Sequence, residues 1–279
     1  MIKALEGRSA IVTGASRGIG EHIARALSRS GMKLALVARS TDALDQLAAE
    51  LSGHGAKAIA IRADLADLAA LDSLVASAHA ALGSLDVLIN NAGIDGIRSY
   101  LDETDAQTEE MLRLDLLSPM LLARKVLPTM LAQGSGHIIN IGSLAGKTSP
   151  PHMVSYATAK AGLIAFTHGL RAELRGTGVS ASVVSPGFVT GEGMFAKQER
   201  AHGVRVSPLV GTTSPDQVAR AVLTALRTDS PEIAVSPGPV RMLQAFGQVA
   251  PDTMSRMQDR LGVSEMLRVI AIAERPKTG

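Results

Sequence analysis

Ser143 and the run Ser155-Tyr-Ala-Thr-Ala-Lys160 hold the side chains of this sequence best suited to chemistry. On a helix, Tyr156 and Lys160 stand one turn apart on the same face. A phenol has an ordinary pKa of about 10 and exchanges protons poorly at neutral pH. A neighbouring ammonium favours phenolate and lowers that value, which makes Tyr156 a usable general acid and base. Taken alone, the spacing more often describes a solvated helix pair, so the rest of the chain must decide. A second stretch, Ser9-Ala-Ile-Val-Thr-Gly-Ala-Ser-Arg-Gly-Ile-Gly20, joins an apolar strand-like run to the amphipathic segment Glu21–Ser28. Glycines at 14, 18 and 20 permit a sharp turn with exposed amides, and a helix N-terminus there holds phosphate through those amides and its dipole. A glycine loop between strand and helix in one βαβ-sized unit is the context that dinucleotide binding requires.

The elements that must position these residues alternate along the chain. Apolar runs at Ala10–Thr13, Lys33–Ala38, Ala58–Ile61, Val87–Asn90, His137–Ile141, Ser180–Val184 and Glu232–Val235 predict seven strands. Helical stretches at roughly 17–30, 41–53, 67–82, 104–133, 153–176 and 214–228 separate them. That alternation predicts an α/β fold, a doubly wound parallel sheet with helices on both faces. Pro119 and Pro128 are expected to bend or restart the helix over 104–133. No linker or repeat divides the 279 residues, which suit one domain.

Composition narrows the class further. Hydrophobic residues are 46% and charged ones 19%, a globular balance, while aromatics at 2% leave the core to aliphatic side chains. The absence of Cys removes disulfides, thiol catalysis and Cys-based zinc sites, and fits a reducing cytoplasm. Residues 1–7 lack the composition of a signal peptide, and charges at Arg113, Asp115, Arg124 and Lys125 break the Leu-rich region from Met111 to Leu131. A soluble, cytoplasmic protein is expected. With a net charge of +2 and no Lys/Arg run, nothing points to nucleic acid.

Four blocks in order resemble the short-chain dehydrogenase/reductase family of single-domain type: Thr13-Gly-Ala-Ser-Arg-Gly-Ile-Gly20, Asn90-Asn-Ala-Gly93, Ser143 with Tyr156-x-x-x-Lys160, and Ser185-Pro-Gly187, covering about 8 to 235. The resemblance implies a Rossmann fold and a nicotinamide cofactor. It implies catalysis by Ser143, which hydrogen-bonds the substrate carbonyl, by Tyr156, which delivers the proton, and by Lys160, which binds ribose and keeps the phenol acidic. No metal is required. It further implies cofactor contacts at Gly14, Ser16, Arg17, Gly18, Ile19 and Gly20, at Asp64 and Leu65, at Asn91, Ala92 and Gly93, at Tyr156 and Lys160, and at Gly187, Val189 and Thr190. Thr190 stands one residue before the family's usual Thr, where this chain has Gly191. Asp64 has a simpler alternative as a cap for the next helix.

The second strand ends Leu36-Val-Ala-Arg-Ser40, without the acid that bonds an NAD ribose. Arg39, with Arg17 in the glycine loop, offers guanidinium forks to a 2′-phosphate, which predicts NADP(H); the alternative is two solvated arginines. Asp115 departs from the family, which has Asn there. It either maintains a water relay beside Lys160 or is a structural helix residue.

By resemblance the pocket is lined by Leu144, Ala145, His152, Met153, Phe188, Met194 and Phe195, mostly apolar, suiting a hydrophobic ketone or secondary alcohol. After Ser236-Pro-Gly-Pro239, short amphipathic helices are expected at Met242–Gln248, Thr253–Leu261 and Ser264–Ala273. They would cover the active-site mouth, close a subunit interface or cap the core. Family members commonly pair through the helix of Tyr156 and Lys160, implying a homodimer or homotetramer. Two functions follow: an NADP(H)-dependent carbonyl reductase or alcohol dehydrogenase, or a non-catalytic NADP(H)-binding sensor or scaffold on the same fold.

Overall fold

The computed structural model of the chain describes residues 4–237 and 249–275. The expected helix at Met242–Gln248 and the end of the Ser236–Pro239 segment lie outside the described residues. The chain runs β1 (Ser9–Thr13), α1 (Gly18–Arg29), β2 (Lys33–Ala38), α2 (Thr41–Gly53), β3 (Ala58–Arg62), α3 (Leu71–Leu82) and β4 (Val87–Asn90). It continues α4 (Asp105–Leu112), α5 (Ser118–Ala132), β5 (Gly136–Ile141), α6 (Ala145–Thr148), α7 (Val154–Glu173), β6 (Val179–Pro186), α8 (Met194–His202), α9 (Pro215–Thr228) and β7 (Glu232–Val235). Two C-terminal helices follow, Pro251–Arg260 and Val263–Ala273.

The strands form one seven-stranded parallel sheet in the order β3-β2-β1-β4-β5-β6-β7. Alternate strand residues face opposite layers. Val12, Leu34, Leu36 and Ile89 pack under α1, α2 and α9, while Ile11, Ala35, Val37 and Leu88 pack under α3 and α5. Strand order reverses between β1 and β4, so a crevice opens at their carboxyl ends, where doubly wound sheets bind ligands. Every motif singled out in the sequence begins at a strand's carboxyl end or on the helix that follows one.

The expected helix over 104–133 is interrupted, and the interruption bears on the site. After α4, residues Arg113–Leu117 form a π turn closed by Ser118 N–H donating to Arg113 O. Pro119 has no N–H to give to the carbonyl four residues back, at Asp115, so the ladder shifts by one residue just before it. The expected restart thus falls at Pro119, whereas α5 runs on through Pro128. Pro128 and Arg124 both face solvent, so water can serve the carbonyl that Pro128 leaves unbonded. Helix α8 was not expected; it follows Gly191-Glu-Gly193, which reads as loop.

Candidate active site

Tyr156 and Lys160 lie on α7, both buried, with Lys160 Nζ 5.7 Å from the centre of the Tyr156 ring. Ser143 follows β5; its Oγ accepts from Ala145 N–H at 3.1 Å, leaving its own hydrogen to donate. Lys160 Nζ donates to Ile141 O at 3.2 Å, which ties the ammonium to the end of β5. Asp115, in the π turn, is fully buried, and its Oδ1 accepts from Ile94 N–H at 2.9 Å. Its Oδ2 lies 3.2 Å from Lys160 Nζ, an ion pair without hydrogen-bond alignment. Gly93 makes this possible, because a Cβ there would meet both Asp115 carboxylate oxygens at 3.0 and 3.1 Å.

The electrostatic balance corrects one expectation. Lys160 does favour phenolate, and a hydrogen bond from Ser143 acts the same way, but burial dominates and the Asp115 and Asp95 charges add to it. The Tyr156 phenol is therefore pushed above its ordinary range, not below. Burial likewise raises the Asp115 carboxyl against the pull of Lys160. For Lys160, burial works downward, yet the facing charge of Asp115 and that of Tyr156 leave the ammonium raised.

The glycine loop sits beside this group. Arg17 precedes α1 with no side-chain cap, so the first amides of the helix stay free. Gly14 and Gly18 have positive φ. A Cβ on Gly20 would lie 2.5 Å from Asn91 Nδ2 and inside contact of the Gly14 carbonyl. Asn91 Nδ2 donates to Thr13 O at 2.9 Å, and Thr13 Oγ1 accepts from the N–H groups of Asn91 and Ala92, so the loop and the start of 91–93 are one stitched unit. Ser16 and Ile19 are half-buried in the turn, Ile19 against the core.

Ala15 N–H donates to Val37 O, which brings the glycine loop to the end of β2, where Arg39 follows. Arg17 and Arg39 are exposed, and neither has an ion-pair partner among the described residues. Asp64 is exposed and its Oδ1 accepts from Ala66 N–H, while the helical turn beyond is capped by Asp67. The capping alternative for Asp64 thus passes to Asp67. Leu65 is buried.

On the other side, Gly187 N–H donates to Val235 O, and Thr190 N–H to Thr213 O. Val189 is buried in a bridge with Thr213. The segment continues to Gly193, whose Cα would stand 3.4 Å from a Cβ on Gly18, so it lies across the glycine loop.

Of the expected pocket residues, Ala145, Met153, Phe188 and Phe195 join Tyr156 in one apolar cluster, with Phe188 and Phe195 rings 4.8 Å apart. Met194 is exposed, and His152 adopts φ +63° with its carbonyl accepting from Arg98 N–H. The same cluster takes Val263, Met266, Leu267 and Ile270 from the last helix. That settles among the described residues what the tail packs on: the Tyr156 side of the site. The sequence marked no part for Ile94 or Ile141, which act through their backbone N–H and carbonyl, and it showed Thr13 only as the start of the glycine-loop motif, without the bonds its side chain accepts from Asn91 and Ala92. Among the described residues there is no group of three or more His, Asp or Glu able to hold a metal, and no helix long and apolar enough to cross a membrane.

Comparison with known proteins agrees with this geometry. The pattern of the family described as short chain dehydrogenase matches residues 8–202. The ketoacyl reductase HetN of Nostoc sp. is 38% identical over 264 residues, 93% of this chain and 91% of its own. A 3-oxoacyl-[acyl-carrier-protein] reductase of Synechocystis sp. is 36% identical over 78% of this chain and 89% of its own. A crystal structure of a metagenomic short-chain oxidoreductase in complex with NADP superposes with a TM-score of 0.69 at 32% identity, covering 83% of this chain and 96% of that one. The chain belongs to the short-chain dehydrogenase/reductase family of nicotinamide-dependent oxidoreductases.

Proposed function

We propose that the protein is an NADP(H)-dependent carbonyl reductase, acting on a ketone carried by a hydrophobic chain. The observation that carries this reading is the burial of Tyr156, Lys160 and Ser143 together at the mouth of the glycine-loop crevice. A sensor or scaffold has no need of that complete trio.

The described residues fit the cofactor. Gly20 lets the turn close tightly on the Gly14 carbonyl and Asn91, the free amides of α1 suit a pyrophosphate, and the Arg17 and Arg39 guanidinium groups, without ion-pair partners among the described residues, suit a 2′-phosphate. When bound, NADPH supplies the hydride. Gly14, Ser16, Arg17, Gly18, Ile19 and Gly20 would hold the pyrophosphate side. Arg39 would take the 2′-phosphate, Asp64 and Leu65 the adenine, Asn91–Gly93 the ribose, and Gly187, Val189 and Thr190 the nicotinamide amide.

Tyr156 gives its proton to the carbonyl oxygen, and Ser143 donates a hydrogen bond to the same oxygen. Lys160, held by Ile141 O and Asp115, would bond the ribose hydroxyls and moderate the phenol. Met153, Phe188 and Phe195 with Met266 and Leu267 exclude water and accept an apolar chain. Two relatives carry ketoacyl reductase names, and an acyl-chain ketone suits those walls. A homodimer or homotetramer and a cytoplasmic location complete the proposal. The test is a screen of ketoacyl thioesters, ketones, quinones and secondary alcohols, following nicotinamide absorbance with NADPH and NADH in parallel. NADPH-dependent turnover of hydrophobic ketones is expected; NADPH binding without turnover of any carbonyl would favour the sensor.

A further inference from the structure

We propose that Asp115 is a positioning residue that fixes the Lys160 ammonium and tempers its pull on the Tyr156 phenol. Its carboxylate cannot swing away. Ile94 N–H holds Oδ1 at 2.9 Å, the missing side chain at Gly93 leaves room for both oxygens, and the π turn at Arg113–Leu117 sets the backbone that aims them. Lys160 Nζ, 3.2 Å from Oδ2, thereby faces the Asp115 carboxyl group, with both side chains buried. A neutral amide at 115 could accept a hydrogen bond but could not offset the ammonium. With Asp115 present, much of the cation's pull on the phenol is cancelled.

The groups facing Tyr156 can be named. Lys160 comes from its own helix, Asp115 from the π turn, and Ser143 from the end of β5. Asp95 comes from the loop after β4, where its Oδ2 accepts from Gln198 Nε2 at 3.2 Å. Lys160 and Ser143 favour phenolate; Asp115 and Asp95, with burial, oppose it, and the opposition prevails. Because the same phenol serves both directions of a reversible reaction, Asp115 moves the pH range of reduction and oxidation together and leaves the equilibrium untouched.

The kinetic consequence rests on Tyr156 being the proton donor in the function proposed above, but the titration does not require turnover. The chain has two Tyr and no Trp, so Tyr100→Phe leaves a single phenol to follow by near-ultraviolet absorbance. In the Tyr100→Phe protein, Tyr156 is expected to titrate above the ordinary phenol value of about 10. Adding Asp115→Asn should bring it down by roughly one pH unit, and Asp115→Glu should return it toward the parent. The alkaline limb of NADPH-dependent reduction should move by the same amount. A Tyr156 midpoint at or below that ordinary value overturns the proposal without any change at 115, so a poorly folding variant does not protect it. An unshifted midpoint or an unshifted limb in Asp115→Asn overturns it as well. A shifted midpoint in a protein that turns over no carbonyl would instead sink the functional reading alone.

Discussion

Replacing Gly20 by Ala strikes the cofactor cradle by the smallest possible change. The added methyl would lie 2.5 Å from Asn91 Nδ2 and 2.8 Å from the Gly14 carbonyl carbon. Ordinary contacts of this kind are about 3.5–4.0 Å. Relief therefore needs a movement of roughly 1 Å in the glycine loop, in Asn91, or in both. Neither yields cheaply, because Asn91 Nδ2 is bonded to Thr13 O and its backbone to Thr13 Oγ1. A shift of that size misdirects at least one α1 amide from the pyrophosphate. A hydrogen bond to a charged group contributes about 1.5–3 kcal/mol, so NADPH affinity should fall by about 10- to 100-fold. The assay is titration by NADPH fluorescence, which the absence of Trp leaves uncomplicated. Gly169→Ala is the matched control: nothing lies within 4 Å of its added carbon, it sits exposed in α7, and stability should rise by about 0.5–1 kcal/mol with affinity unchanged. If Gly20→Ala bound NADPH as tightly as the parent, the cradle argument would be wrong.

Arg39→Ala should weaken NADPH binding about tenfold through the lost charge-assisted contact and leave NADH binding unchanged; an equal loss for both cofactors would show that Arg39 does not read the 2′-phosphate. His137, buried in β5 with Nε2 2.8 Å from Ser182 Oγ, is held by burial down to about 4 from 6.5. A depressed folded-state value means the contribution is whole above pH 6.5 and is lost as pH falls through 4, by about 3 kcal/mol in all. Urea unfolding across that range should steepen in wild type and flatten in His137→Gln; matching slopes would count against it.

The sheet was legible because parallel strands covered on both faces need unbroken apolar runs, and these runs end in loops. Strand limits agree to within two residues: β5 begins at Gly136 and β6 spans Val179–Pro186, against 137–141 and 180–184 from the sequence. Tyr156 and Lys160 were legible as a helix pair, but the sign of the phenol's shift was not. It depends on burial and on Asp115, which is 45 positions before Lys160 and reaches it only through a π turn. Pro119 hinted at a break without revealing that the break aims a carboxylate. The tail's amphipathic stripe said that one face is covered, and only tertiary packing shows that Met266 and Leu267 meet the Tyr156 cluster. Helix α8 escaped notice because the glycines at 191 and 193 mask its start.

The central claim is that Tyr156 passes a proton to a carbonyl beside bound NADPH. The most direct measurement is single-turnover reduction of a hydrophobic ketoacyl thioester by wild type and Tyr156→Phe, with NADPH affinity determined on the same preparations. The account predicts that the variant binds NADPH as the parent does while its reduction rate falls by at least about 10²-fold. Reduction at an undiminished rate in Tyr156→Phe would contradict it.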